Sequence, residues 1–212
     1  MCNHRSNLAL AVVVVVVCAP VAARANCPAV PNGTFDTNIT GWTNFGVWDG
    51  TLGDPPGSDQ VGPVTAGGLT TYGDALSTCL LVTPGDRCNL TAEAYVPVGQ
   101  PTSGSGQLGY IYFSDAGCST PLSLSATADL TGTTQGTWLP LSTGPLTVPP
   151  GASSAKVALN VGAAPNTSMT INWDNVVSAD LSPVPMLDPR GLLLLGAVLA
   201  VAGALVLRGV RA

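Results

Sequence analysis

The sequence has very few side chains that carry positive charge. Charged residues make up 9% of the chain, and there is one histidine, His4, and one lysine, Lys156. Between residues 26 and 187 the basic residues are Arg87 and Lys156, against ten aspartates and Glu93, so the net charge is near −9. Nucleic-acid binding requires basic side chains that replace phosphate counterions. This composition therefore excludes nucleic acid as a partner.

The scarcity of histidine also limits catalysis. Once an exported chain loses His4 with its N-terminal segment, no Ser-His-Asp or Cys-His arrangement can form. Two carboxylates can hydrolyse a glycoside, but the spacing of the aspartates singles out no such pair. We therefore expect a protein that is not an enzyme.

Residues 1–25 have the pattern of a signal peptide. A short head containing Arg5 precedes an apolar run over residues 8–19, and a small-x-small cleavage sequence ends at Ala25. The apolar run is too short to span a membrane comfortably. We predict cleavage after Ala25 and export of the rest of the chain.

Four cysteines remain after that cleavage, and no C-x-x-C or Cys/His pairing is present. Zinc binding is therefore not expected, whereas an even number of cysteines in an exported chain indicates two disulfides. We favour Cys79–Cys118 together with Cys27–Cys88. A hairpin pairing of Cys79 with Cys88 remains open.

Short alternating runs, rather than helical periodicity, fill the chain before residue 182. Leu108, Tyr110 and Tyr112 lie on one face of such a run, and turn sequences such as Pro84-Gly85-Asp86 separate the runs. We predict an all-β fold, an antiparallel β-sandwich of jelly-roll type, over residues 26–180. The predicted strands cover residues 33–36, 42–48, 75–82, 88–96, 107–114, 122–128, 136–141, 155–161 and 169–178.

Residues 50–74 have a different composition from the predicted strands. They contain seven glycines and three prolines in 25 residues, without a strand pattern. Glycine and proline interrupt regular structure, so we predict a single long loop here.

Two segments resemble a known group of proteins. NGTFDTNITGW at residues 32–42 and the stretch 138–176, which ends in TINWDNV, resemble jelly-roll modules related to carbohydrate-binding families. These modules open with N-G-x-F-E/D and G-W and close with an aromatic-Asp-(Asp/Asn)-Val strand. The resemblance implies a non-catalytic surface or matrix module that binds extracellular polysaccharide. A purely structural or adhesive surface protein is the alternative, because such modules also occur without a sugar site.

The same resemblance implies one structural calcium ion between the first and last strands. The matching positions are Asp36 and Asp174, with backbone carbonyls supplying further oxygens. Oxygen ligands suit calcium, and a metal that joins the chain ends stabilises the folded state. The sequence departs from the pattern at Asp36, where Glu is common, and at Asn175, where a second Asp is common.

Sugar recognition uses aromatic ring faces with polar groups beside them. Phe45 and Trp48 precede the predicted loop, and Tyr110 and Tyr112 share one strand face. We predict that these four residues form an aromatic platform, the alternative being that the tyrosines simply cover one sheet. The resemblance assigns three other aromatic side chains to the core, namely Trp42, Trp138 and Trp173.

The end of the chain resembles a carboxy-terminal sorting signal of exported bacterial proteins. A proline-containing linker at residues 181–190 includes Val184-Pro185-Met186-Leu187, similar to an Ile-Pro-Thr-Leu box with Met186 in place of Thr. The resemblance implies recognition by a membrane-embedded sorting protease.

An uncharged run at residues 191–207 follows this box. As a helix it spans about 26 Å, slightly less than a typical hydrocarbon core, so we predict a transmembrane helix. The basic tail at 208–212 marks the cytoplasmic end, which leaves the sandwich outside the cytoplasm. After processing, the sandwich is expected at the cell surface or in the matrix; a plain membrane anchor is the alternative.

Overall fold

A computed structural model describes residues 27–181, which form twelve β-strands. No helix long and apolar enough to cross a membrane occurs within this range. The predicted signal peptide (1–25), sorting motif (184–187), transmembrane helix (191–207) and basic tail (208–212) lie outside the described residues. The strands are β1 Trp42–Asn44, β2 Gly46–Asp49, β3 Ser58–Thr65, β4 Thr71–Ser77, β5 Leu80–Leu81, β6 Arg87–Tyr95, β7 Ser105–Phe113, β8 Pro121–Leu124, β9 Ala128–Thr131, β10 Trp138–Thr147, β11 Ser154–Ala163 and β12 Ser168–Asp180.

The strands form two antiparallel sheets that enclose one core. The seven-stranded sheet has the order β1-β4-β11-β7-β8, with β5 also paired to β11 and β9 to β7. The five-stranded sheet has the order β10-β6-β12-β3-β2. The predicted all-β antiparallel sandwich is therefore confirmed for the described residues.

Alternation along the central strands places apolar side chains between the sheets. In β11, Val157, Leu159 and Val161 are completely buried, and in β12 Ile171 and Trp173 are buried on the facing side. Burying a side chain of this size contributes roughly 1.5–3 kcal/mol. The residues between them in β11, Ala158 and Asn160, face outward.

The segment before β1 is joined to the end of β12. The Val176 N–H donates to the Gly33 carbonyl over 2.8 Å, and a Cβ on Gly33 would collide with the Val176 carbonyl. The predicted strand at 33–36 is wrong, because Phe35 has a φ of 50° and the segment turns instead. Phe35 is fully buried against Trp42, with ring centroids 5.2 Å apart.

The prediction of one long loop at residues 50–74 is also wrong. This range contains β3, which lies between β12 and β2 in the five-stranded sheet, and the first half of β4. Gly62 and Pro63 occupy an irregularity in the pairing of β3 with β12, where the register shifts between Met169 and Ile171. The glycine and proline therefore belong to a bulged strand, which composition alone does not distinguish from a loop.

The favoured disulfide pairing is present in the structure. Cys27–Cys88 joins the start of the described chain to β6, and Cys79–Cys118 joins the β4–β5 connection to the β7–β8 loop. The Cα atoms are 5.7 Å apart in both pairs, whereas the alternative pairing of Cys79 with Cys88 does not occur. Both bridges join segments distant in sequence, which constrains the unfolded chain most.

Asp59 of β3 faces the core and is completely buried. Its cross-strand partner is Trp173, and neither its two carboxylate oxygens nor the Trp173 Nε1 has a hydrogen-bond partner in the structure. Burial raises the pKa of Asp59 to about 7. A Cβ on Gly46, which pairs with the neighbouring Val61, would collide with this carboxyl group unless the Asp59 side chain moved.

We predict that Asp59 makes the fold less stable as pH rises. The raised pKa means that folding takes up a proton between pH 4 and 7, so the free energy of unfolding falls across this window and levels off above it. Asp59→Asn has no carboxyl group to titrate here, so its free energy of unfolding should not fall in this way. Relative to wild type, the variant should become more stable by up to about 4 kcal/mol as pH rises from 4 to 8. Urea unfolding at several pH values measures this difference; parallel curves for the two proteins would contradict it.

Candidate functional site

A row of four polar side chains crosses the outer face of the seven-stranded sheet. Asp74 on β4, Asn160 on β11, Gln107 on β7 and Asp129 on β9 are consecutive cross-strand partners, and we call them the polar row. The Asn160 Nδ2 donates to Asp74 Oδ1, and the Gln107 Nε2 donates to Asp129 Oδ1 over 3.1 Å. These two hydrogen bonds fix the orientation of all four side chains, so the row is ordered without a ligand. The Asn160 Oδ1 is buried and has no hydrogen-bond partner in the structure.

Tyr72 lies next to the polar row, on the neighbouring rung of the sheet. It pairs with Gly162 of β11, and its side chain is 56% exposed. A Cβ on Gly162 would be 2.7 Å from Tyr72 Cε1, so the ring extends across β11 only because no side chain is present there. An aromatic face is thereby presented to solvent beside amide and carboxylate groups.

On the other side of the polar row, the sheet surface contains a depression with a volume of about 160 Å³. Its floor contains the small residues Gly109 and Ala158, which are cross-strand partners, and Leu124 and Thr127 form one wall. Tyr72, the polar row and this depression follow one another at about 6.7 Å per rung. Together they form a shallow site that is open along the sheet, and we call it the first face.

Tyr110 and Tyr112 do not belong to an exposed platform, which corrects the prediction for them. Both are 3% exposed and point between the sheets, where their rings stack at 5.8 Å. The Tyr110 hydroxyl donates to Ser178 Oγ over 2.8 Å. Burial raises the pKa of both phenols, that of Tyr112 to about 12. The alternation of β7 was predicted correctly, but alternation does not tell which of its two faces is the inner one.

Phe45 and Trp48 are exposed, but they lie at the β2 edge of the five-stranded sheet rather than with the tyrosines. The Phe45 ring lies against Gly73, on the side of β4 opposite Tyr72. The Trp48 Nε1 donates to the Phe35 carbonyl over 2.8 Å, which ties the ring to the start of the sandwich. The four predicted platform residues are therefore not brought together.

The sequence analysis predicted only part of the first face. Tyr72 and Asp74 fall within the range predicted as a loop, although Tyr72, Asp74 and Leu76 alternate with Gly73 and Ala75 as a strand would. Asn160 and Gln107 fall in predicted strands. That they are neighbours depends on pairing between strands far apart in sequence, which a periodicity cannot show.

A second pair of aromatic rings lies on the outer face of the five-stranded sheet. Tyr95 and Trp138 are cross-strand partners with ring centroids 5.4 Å apart, and both are partly exposed. Trp42 and Trp173 are buried as the resemblance implied, but Trp138 is not a core residue. It faces outward because Leu139 and Leu141 of the same strand pack against the core.

The predicted calcium ligands differ strongly in exposure. Asp174 is 1% exposed and accepts hydrogen bonds from the N–H of Asn175 at 2.6 Å and of Asp54 at 3.4 Å. Burial, with a smaller effect of the negative charges on Glu93 and Asp36, raises the pKa of Asp174 to about 6. Asp36 is exposed.

Oxygen ligands and uncompensated negative charge are both features that suit a calcium ion. The two basic residues of the described chain are distant from Asp174, since Lys156 lies in the other sheet and Arg87 at the far end of β6. Within residues 27–181, however, no three acidic, histidine or cysteine side chains stand close enough to hold a metal by themselves. Backbone carbonyls would have to complete the site, as the resemblance implied.

No model of a known protein family matches the chain, and no curated protein matches it. Among solved structures it is similar to the C-terminal family 22 carbohydrate-binding module of Clostridium thermocellum Xyn10B, with 16% identity and a TM-score of 0.51 over 74% of this chain and 98% of that one. It is also similar to the tandem family 22 modules of Paenibacillus barcinonensis Xyn10C, with 15% identity and a TM-score of 0.54 over 77% of this chain and 52% of that one.

A third similar structure is a longer chain, and the similarity covers only part of it. The match to the N-terminal part of the Clostridium thermocellum xylanase 10B has 15% identity and a TM-score of 0.51, and it covers 73% of this chain but 29% of that one. At these identities the comparisons establish the fold: the described residues form a sandwich of the type found in carbohydrate-binding modules.

Proposed function

We propose that this protein is a non-catalytic module that binds extracellular polysaccharide through the first face. The observation that supports it most directly is the exposed ring of Tyr72 beside the ordered polar row. Sugar rings stack their C–H faces on aromatic rings while their hydroxyls bond to amides and carboxylates. The polar row spans four strands, about 14 Å, which is the length of a short oligosaccharide.

The charges of the first face favour a neutral ligand. Asp74 and Asp129 stand at the two ends of the polar row, and the one basic residue of this sheet, Lys156, faces outward two rungs away. An anionic polysaccharide would be repelled at both ends of the row. Neutral polymers such as xylan or glucan meet no such penalty, so we infer that they are the ligand class.

The spacing of the same carboxylates supports binding rather than hydrolysis. Glycosidases place their two carboxyl groups at separations between about 5 and 9.5 Å. Asp74 and Asp129 lie three strand spacings apart, which is about 14 Å. The similar modules include one described as a xylan-binding domain, which supports the same ligand class.

We predict that Tyr72→Ala weakens binding of neutral polysaccharide at least tenfold, because losing one stacking face costs about 1.4 kcal/mol. Tyr72→Phe keeps the ring and most of the affinity. Titration of the full-length protein with soluble xylan, β-glucan and an acidic polysaccharide measures the effect.

Phe45→Ala is the matched control, since Phe45 is also 56% exposed but lies on the opposite side of β4. If Phe45→Ala loses binding and Tyr72→Ala keeps it, the first face is not the binding site, and Phe45 contributes to binding as the sequence analysis predicted. If the wild type binds none of the three polysaccharides, the structural or adhesive alternative is favoured.

We further propose that one calcium ion joins Asp174 and Asp36, supplemented by carbonyl oxygens. A bound cation would offset the charge that burial makes unfavourable on Asp174.

We predict that millimolar calcium raises the melting temperature of the wild type by a few degrees or more at pH 7.5. Asp174→Asn should lose this increase, whereas Asp129→Asn on the first face should keep it. Equal melting temperatures with calcium and with chelator would exclude the site.

For localisation we propose export, temporary retention by the C-terminal membrane segment, and release by a membrane-embedded sorting protease. The support is the signal peptide pattern at residues 1–25 and the Val184-Pro185-Met186-Leu187 box before an apolar run. The two disulfides fit an oxidising compartment. The intact mass of protein from its native host is expected to lack residues 1–25 and 191–212. A mass that still includes 191–212 would leave the plain membrane anchor.

A further inference from the structure

The outer face of the five-stranded sheet has the same kinds of groups as the first face. Tyr95 and Trp138 form the partly exposed aromatic pair. On the next rung, about 6.7 Å along the strands, Glu93 and Pro140 are cross-strand partners. The sandwich therefore presents aromatic rings beside polar groups on both of its outer surfaces.

A depression of about 340 Å³ is lined by Glu93 and Pro140, on the rung next to this aromatic pair. Glu93 and Thr91 of β6, Ser142 of β10 and Asn175 of β12 supply its polar lining. The Asn175 Nδ2 donates to Glu93 Oε2 over 3.1 Å, which orients the carboxylate. Its size is at the lower end for small-ligand sites, enough for one or two sugar units beside the rings.

Core packing does not require aromatic side chains at these two positions. Tyr95 and Trp138 point away from the core, which the neighbouring Ala94 and Leu139 face instead. Glu93 is the one charged group of the lining, so this face also repels anionic chains.

We propose that this second face, formed by Tyr95, Trp138 and Glu93, binds another neutral polysaccharide chain, so that one molecule holds two chains and cross-links them. The ligand class rests on the function proposed above. The two faces lie on opposite sides of the sandwich, so one straight chain cannot occupy both. Long polymers carrying many sites would be joined into a network by a divalent module of this kind.

Isothermal titration of the full-length protein with xylohexaose and cellohexaose tests the proposal, with calcium held constant. Two ligands per molecule are expected for wild type, one for Tyr72→Ala, one for Trp138→Ala and none for the double variant. Trp138→Tyr, which keeps an aromatic face, should restore the second ligand. Wild type should also precipitate long xylan or glucan, whereas each single variant should bind it without precipitation.

A stoichiometry of one that Tyr72→Ala abolishes and Trp138→Ala leaves intact would overturn the second face while the proposed function stands. A stoichiometry of one abolished only by Trp138→Ala would overturn the divalent arrangement and place the binding on the five-stranded sheet. No heat with either hexasaccharide would overturn both proposals. If Trp138→Ala does not fold, Glu93→Gln gives the same comparison, since the carboxylate is partly exposed and its loss leaves the core unchanged.

Discussion

The register of β11 between β4 and β7 determines most of what this sandwich presents to its surroundings. Val157, Leu159 and Val161 fix which face of the strand is buried, so Asn160 must point outward between Asp74 and Gln107. A slip by one residue would bury the polar row and expose the aliphatic side chains. Packing in the hydrophobic core therefore determines which side chains lie on the first face.

Negative charge without basic partners is the second constraint on the molecule. Exposed aspartates keep the surface acidic, which disfavours anionic ligands. At Asp59 and Asp174 burial raises the pKa of the carboxyl group, and no cationic side chain offsets that rise. Asp59 lies in the core, away from either outer face, whereas Asp174 lies where the chain start meets β12.

The two outer faces of the sandwich carry similar groups, exposed aromatic rings beside polar side chains. Tyr72 on one sheet and Trp138 on the other are separated by the whole thickness of the sandwich, so each face acts independently. Sheet packing at about 10 Å keeps them rigidly opposed. The divalent module that we propose would join polymers through this fixed geometry rather than through a flexible linker.

The sequence alone determined the fold class, the presence of two disulfides and the scarcity of basic side chains, because alternation, cysteine number and composition are local properties. The sequence left open whether Cys79 pairs with Cys88 or with Cys118, which the structure decided. Nor did the sequence determine which residues share a face. Tyr72 and Asp74 lay in a segment whose glycines and prolines resembled a loop, and the inward direction of Tyr110 was invisible in its alternation. Pairing between distant strands decided those points. A site assembled across four strands exists only once tertiary packing has fixed their register.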